Sequence, residues 1–80
     1  MKVKNETTIE FVSDKDFYDK EESGRKNNTI RWLSEVEKQT LKRISPTQII
    51  IRNRYTHKQF TRQISDISEY GGWTIFTWVQ

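Results

Sequence analysis

Three consecutive segments in the second half of the chain have the composition and alternation of β-strands, and turn residues separate them. They are residues 47–54, 58–67 and 73–79. Isoleucine, threonine and aromatic side chains dominate these segments, and such residues favour strands. The dipeptide Gly71-Gly72 marks a turn before the last of them. A fold built on hairpin-connected strands is therefore expected.

Two further strands and two helices are predicted in the first half, with strands at 7–12 and 27–33 and helices at 14–22 and 35–43. Ser13 is placed as the N-cap of the first helix and Gly24 follows its end. Ser34 and Glu37 have the spacing of a capping box at the second. The predicted fold is α+β in the order β-α-β-α-β-β-β, a curled sheet or half-open β-barrel of about five strands with two short helices.

The apolar positions predict how these elements pack. The last strand has apolar residues in both parities, so it is expected to be central and covered on both faces. Trp32 and Trp78 are expected in the core, and a bulge is predicted near Ser65 and Asp66. On the helices, the residues expected to face the core are Phe17, Tyr18, Val36, Leu41 and Ile44.

Length and composition limit the classes of protein. The 80 residues correspond to a single domain, 1–80. The chain has no cysteine and one histidine, so neither a metal nor another cofactor is predicted. The longest apolar run is Ile49 to Ile51, which predicts no membrane association and a cytoplasmic location.

The net charge of +3 conceals a strong segregation along the chain. Residues 24–62 contain ten lysines and arginines but only two acidic residues, whereas both flanking regions are acidic. Such a distribution attracts phosphates if the fold gathers the cations on one face. An ordinary solvated surface of a basic protein is the alternative interpretation.

The segment Ser23–Arg31, "SGRKNNTIR", is the strongest candidate for a ligand site. Backbone amides near Gly24 can approach an anion, and Thr29 and Arg31 should share one face of a strand. Cationic residues of the following strands form a predicted basic stripe, and two turn tyrosines offer stacking surfaces. The predicted ligand-binding residues are Gly24, Arg25, Lys26, Asn27, Asn28, Thr29, Arg31, Arg52, Arg54, Tyr55, Arg62 and Tyr70.

The same segment fits the pattern Gly-x-Lys-x-x-(Glu or Thr)-x-Arg, and in this it resembles the signature of ASCH domains. These are PUA-like small β-barrels similar to RNA-binding modules. The resemblance is closest to a branch of small bacterial acetylcytidine amidohydrolases with the stretch "GRKTxTIR". It implies that Lys26 and Thr29 carry amide hydrolysis with the help of a distant glutamate. Asn27 and Asn28 depart from that stretch, and the segment that holds the family's glutamate is missing, which leaves Glu69 as a weak substitute.

These observations favour binding over catalysis. The first hypothesis is a nucleic-acid or nucleotide-binding module, with RNA or a nucleotide as partner. An amidohydrolase acting on an acylated nucleoside is the second. The third is a protein-interaction module that inhibits or sequesters a host factor or a nucleotide signal through aromatic residues near Tyr70 and Trp73. A monomer or a homodimer is expected under each hypothesis. The short, lysine-rich and asparagine-rich chain resembles bacteriophage proteins, which is compatible with the third hypothesis.

Overall fold

The computed structural model describes all 80 residues, Met1–Gln80, and contains six strands and two helices. The elements in chain order are β1 (Lys2–Asn5), β2 (Thr8–Ser13), α1 (Lys15–Glu22), β3 (Asn28–Arg31), α2 (Glu35–Ile44), β4 (Gln48–Asn53), β5 (Gln59–Tyr70) and β6 (Trp73–Trp78). The expected α+β class with two short helices is confirmed. Each expected strand and helix is present within a few residues of its predicted bounds.

All six strands belong to one mixed sheet with the order β1-β2-β4-β5-β6-β3. Only β2 and β4 pair in parallel, with Ile9 opposite Ile49 and Phe11 opposite Ile51. The other neighbours are antiparallel. The sheet is open, because no ladder joins the edge strands β1 and β3. It is also curled, since Arg31 of β3 contacts β2, four strand positions away.

The inner face of the curled sheet holds the hydrophobic core. Aromatic rings contact each other there. The ring centroids are 5.1 Å apart for Phe11 of β2 and Phe76 of β6, which are not neighbours in the sheet, and 6.1 Å apart for Phe60 and Trp78 of the neighbouring strands β5 and β6. Burial of Trp78 is confirmed. The predicted bulge is also confirmed, because the register of β5 against β6 shifts between Ile64 and Asp66.

Three predictions about the sheet were wrong. Strand β1 was missed because all four of its residues, Lys2–Asn5, are exposed and leave no apolar alternation to detect. Strand β6 is neither central nor covered on both faces. It lies between β5 and edge strand β3, and only its inner face is buried. Trp32 was expected in the core but is 64% exposed, because it follows β3 and packs edge-on against Trp73 on the outer face.

The helices differ from expectation at single positions. The capping box of Ser34 and Glu37 is confirmed at α2. The N-cap of α1 is Asp14 instead of Ser13, whose side chain is buried and bonded elsewhere. Phe17 and Val36 are exposed, so the core contacts of the helices come from the other predicted apolar residues, Tyr18, Leu41 and Ile44.

The β5–β6 turn provides a test of the outer face. Gly71 and Gly72 both have positive φ, +58° and +85°. A Cβ on Gly72 would lie 3.0 Å from the Trp32 ring, whereas a Cβ on Gly71 would meet nothing within 4 Å. Left-handed backbone costs a non-glycine residue about 1 to 2 kcal/mol. We expect Gly71→Ala to lower the free energy of unfolding by about that much. Gly72→Ala should lower it further, because the Trp32 ring must also move. Urea unfolding measures the difference, and equal losses would contradict the Trp32 contact.

Candidate functional site

A cleft of about 630 Å³ lies where edge strand β3 faces the end of β2 and helix α1. Side chains from β2, α1, β3, the β4–β5 loop and the β5–β6 hairpin meet in it. Its lining residues are Val12, Ser13, Asp14, Phe17, Glu21, Lys26, Thr29, Ile30, Arg31, Arg54, Tyr70, Trp73 and Ile75. The cleft therefore has one polar, charged side and one aromatic side.

Arg31 forms the floor of the polar side and links β3 to β2. Its Nη1 donates to the carbonyl oxygen of Val12 at 2.9 Å, and its Nη2 donates to Ser13 Oγ at 2.7 Å. Nε donates to Thr29 Oγ1 at 2.9 Å, which confirms that Thr29 and Arg31 share a face. The guanidinium also lies 4.8 Å from the centre of the Phe11 ring. Burial lowers the pKa of Arg31, and the charge of Glu21 opposes that shift.

Glu21 and Lys26 form a second charged group in the cleft. Glu21 is only 1% exposed, and its Oε1 accepts a hydrogen bond of 2.9 Å from Ser13 Oγ. Lys26 Nζ lies 3.5 Å from Glu21 Oε2 and donates to the carbonyl oxygen of Asn28 at 3.0 Å. The 3.5 Å contact is an ion pair without a hydrogen bond, so Oε2 of Glu21 accepts no hydrogen bond from the protein. A buried carboxylate thus adjoins the lysine of the predicted site.

The outer rim of the cleft combines one ion pair with exposed aromatic rings. Arg54 Nε donates to Asp14 Oδ1 at 2.7 Å, and both side chains are more than half exposed. Tyr70 is 80% exposed, which confirms the expectation of an exposed ring, and Trp73 and Phe17 also reach the surface. Of the charged residues that line the cleft, three are cations and two are carboxylates, which leaves one net positive charge.

The structure brings five of the predicted ligand residues together and separates the others. Those in the cleft are Lys26, Thr29, Arg31, Arg54 and Tyr70. Gly24 has a φ of +88° after the C-cap of α1, as expected, but its carbonyl faces Gln80 at 3.4 Å. The Asn27 side chain donates to the backbone of β6, Asn28 contributes only its carbonyl oxygen, and Arg25 is exposed outside the cleft.

The predicted basic stripe is not formed. Arg52 alternates with inward-facing Ile51, so it lies on the outer face, where it pairs with buried Glu10 at 3.2 Å. Arg62 is opposite Ile49 on the inner side and lies 4.6 Å above the Phe60 ring. The stripe was wrong because cross-strand register places Arg52 and Arg62 on opposite faces of the sheet.

The remaining candidates lie in two other grooves. Tyr55 is exposed, as expected, but it lines a groove between α1 and the β4–β5 hairpin together with Arg62. Glu69 lies in a groove between α2 and β5. Neither residue lines the cleft that contains Lys26 and Thr29.

Sequence reasoning missed the carboxylate of the site. Glu21 lies in the acidic N-terminal region and was not among the predicted site residues, yet it is the most buried residue of α1. Its spacing offers a partial signal, because Tyr18 and Glu21 are three apart and therefore share one side of the helix. Ser13 and Phe17, two other residues of the cleft outside the predicted ligand set, were assigned to a cap and to the core.

Comparison of the chain with protein-family models, curated protein sequences and solved structures finds no match. Neither helix is long and apolar enough to cross a membrane.

Arg31 should contribute strongly to stability. Hydrogen bonds that involve a charged group each contribute about 1.5 to 3 kcal/mol, and Arg31 makes three. We therefore expect Arg31→Met to lower the free energy of unfolding by at least about 2 kcal/mol. Arg25→Met is the matched control, because Arg25 is exposed in the same segment. Urea denaturation measures both variants, and equal stabilities would contradict the linking role of Arg31.

Proposed function

We propose that the protein is a nucleotide-binding module and that the ligand occupies the cleft between β3, β2 and α1. The observation that carries the proposal is that Lys26, Arg31 and Arg54 line a single cleft together with exposed aromatic rings. A nucleotide combines an anionic phosphate with a flat base. The cationic side of the cleft suits the phosphate, and the aromatic side suits the base.

Arg54 and Lys26 are the cations of the cleft that have donors left for a ligand. Arg54 uses Nε for Asp14, and its terminal amino groups have no protein partner. Lys26 has three N–H donors, one of which is directed to Asn28. Arg31, in contrast, uses Nε and both terminal nitrogens within the protein. The net positive charge of the lining residues favours an anion.

The aromatic wall supplies the stacking surface. Tyr70 and Trp73 flank the β5–β6 turn, and Phe17 projects from α1. Stacking of a base on an aromatic ring contributes about 1 to 3 kcal/mol. Because Trp73 borders the cleft, its fluorescence should report binding directly.

The cleft suits a compact ligand better than a long RNA strand. Arg52 and Arg62 lie on opposite faces of the sheet, so no continuous cationic track extends from the cleft along them. We therefore rank a mononucleotide or the end of an oligonucleotide above extended RNA. We also propose that the chain is ASCH-like, since Lys26, Thr29 and Arg31 of that motif all face the cleft.

A fluorescence titration with nucleoside monophosphates at two salt concentrations tests this function. We expect binding that weakens with salt, and Tyr70→Ala should reduce affinity by about 5- to 100-fold through lost stacking. Arg54→Gln should weaken phosphate binding, whereas Arg43→Gln removes the same charge from α2, away from the cleft. The proposal fails if no nucleotide binds at low salt, or if Arg54→Gln and Arg43→Gln bind equally well.

An amidohydrolase is the second candidate function, and Glu21 is the observation that favours it. The cleft contains a lysine, a threonine and a buried carboxylate, the three residue types that the ASCH resemblance implies for amide hydrolysis. Thr29 Oγ would attack the acyl carbon, form an ester and release the amine, and water would then hydrolyse the ester. Against this role, Lys26 makes the contacts of an ammonium ion, and no hydrogen bond joins it to Thr29.

Incubation with acetylcytidine tests this candidate. Hydrolysis should release cytidine and acetate, and Thr29→Ser should retain activity that Thr29→Ala loses by at least about 100-fold. Chromatography measures the products. Unchanged substrate at high protein concentration would exclude the reaction and leave nucleotide binding unaffected.

A further inference from the structure

Glu21 has one carboxylate oxygen, Oε2, that accepts no hydrogen bond within the protein although it forms an ion pair with Lys26. The carboxylate is 99% removed from solvent, and such burial of an ionisable group is costly unless hydrogen bonds satisfy it. Ser13 satisfies Oε1 at 2.9 Å, but the buried Oε2 has no hydrogen-bond partner, and Glu21 is one of the residues that line the cleft. A ligand group that donates a hydrogen bond to Oε2 would therefore satisfy this buried carboxylate.

A hydrogen-bond donor lies beside this acceptor. Lys26 Nζ is 3.5 Å from Glu21 Oε2 and holds its position through the carbonyl oxygen of Asn28. The two side chains together present an acceptor next to a donor. Their complement is a ligand edge on which an N–H group lies next to a carbonyl oxygen or an unprotonated ring nitrogen.

Nucleobases have such an edge, and an unprotonated phosphate, which has no donor, does not. Adenine and cytosine carry an amino group next to a ring nitrogen, and guanine and uracil carry a ring N–H next to a carbonyl. A phosphate at the same place would face the carboxylate of Glu21 and be repelled. The exposed guanidinium of Arg54, at the outer rim, is the better position for a phosphate.

We propose that Glu21 and Lys26 bind the hydrogen-bonding edge of a nucleobase, with the phosphate directed outward to Arg54. This inference rests on the proposed nucleotide-binding function and gives the ligand an orientation. It also gives a specificity: the ligand must have a free N–H on its base edge. Enzymes that bind unstacked bases read the same edge by hydrogen bonds.

Methylated nucleotides test the inference on the unaltered protein. UMP and 3-methyl-UMP share the phosphate and the stacking surface, but only UMP has the ring N–H. CMP and its N4,N4-dimethyl derivative form a second pair that differs in the amino N–H. We expect the methylated member of the preferred pair to bind at least about tenfold more weakly, because its acceptor partner is left unpaired. Equal binding within both pairs would overturn the inference.

Variants assign that discrimination to Glu21. Glu21→Gln should reduce the preference for the unmethylated nucleotide to less than about threefold. Glu22→Gln is the matched control, since it makes the same change at the next position of α1 but outside the cleft. Thermal melting checks that both variants fold. If Glu21→Gln is unfolded, binding of the methylated and unmethylated nucleotides to the unaltered protein still tests base-edge recognition.

The outcomes also separate this inference from the proposed function. Binding of UMP, CMP and ribose 5-phosphate with similar affinity would reject base-edge recognition while nucleotide phosphate binding survives. Absence of binding by every nucleotide would reject both. Full discrimination retained in Glu21→Gln would overturn the assignment to Glu21.

Discussion

The guanidinium of Arg31 is the interaction on which the shape of the molecule depends. In the sheet order, β3 and β2 are four strand spacings apart, about 19 Å in a flat sheet. Yet Arg31 donates to Val12 and Ser13 of β2 at 2.9 and 2.7 Å. The sheet must curl to allow this contact, and the curl in turn encloses the aromatic core. A side chain thus joins edge strand β3 to β2, which no backbone ladder joins, and the cleft lies beside this contact.

Burying Arg31 requires a compensating charge, and Glu21 provides it. The two residues are linked through Ser13, whose hydroxyl accepts from Arg31 and donates to Glu21. A partly buried cation and a fully buried anion that share one hydroxyl are less costly than either alone. Lys26 extends this network to the surface, where it stacks 5.5 Å from the Phe17 ring. The charges of the cleft are therefore part of the fold as well as of the site.

Local sequence signals were sufficient to predict the strands and helices, but not the tertiary contacts that these elements make. The capping box of Ser34 and Glu37 and the alternation of Ile49 and Ile51 act within a few residues, so they are readable from sequence. Exposure of Trp32 and burial of Glu21 depend on which distant strand lies next to them. Sequence spacing brought Thr29 and Arg31 onto one face correctly, because a strand fixes that relation by its period of two. Sequence spacing could not reveal that Arg31 donates hydrogen bonds to β2, because that contact arises from the curl of the whole sheet.

Arg31 both links β3 to β2 and lines the cleft, so it is a poor position at which to test function by substitution. An arginine that holds the sheet together cannot be removed without disturbing the cleft, so its substitution affects folding and binding at once. Arg54 and Tyr70 lie on the rim and take no part in the core, so changes there disturb the fold less than changes at Arg31. Glu21 is intermediate, because one oxygen accepts from Ser13 and the other has only the ion pair with Lys26. The polar side of the cleft thus contains atoms that hydrogen-bond within the fold and atoms that do not, and Oε2 of Glu21 belongs to the second group.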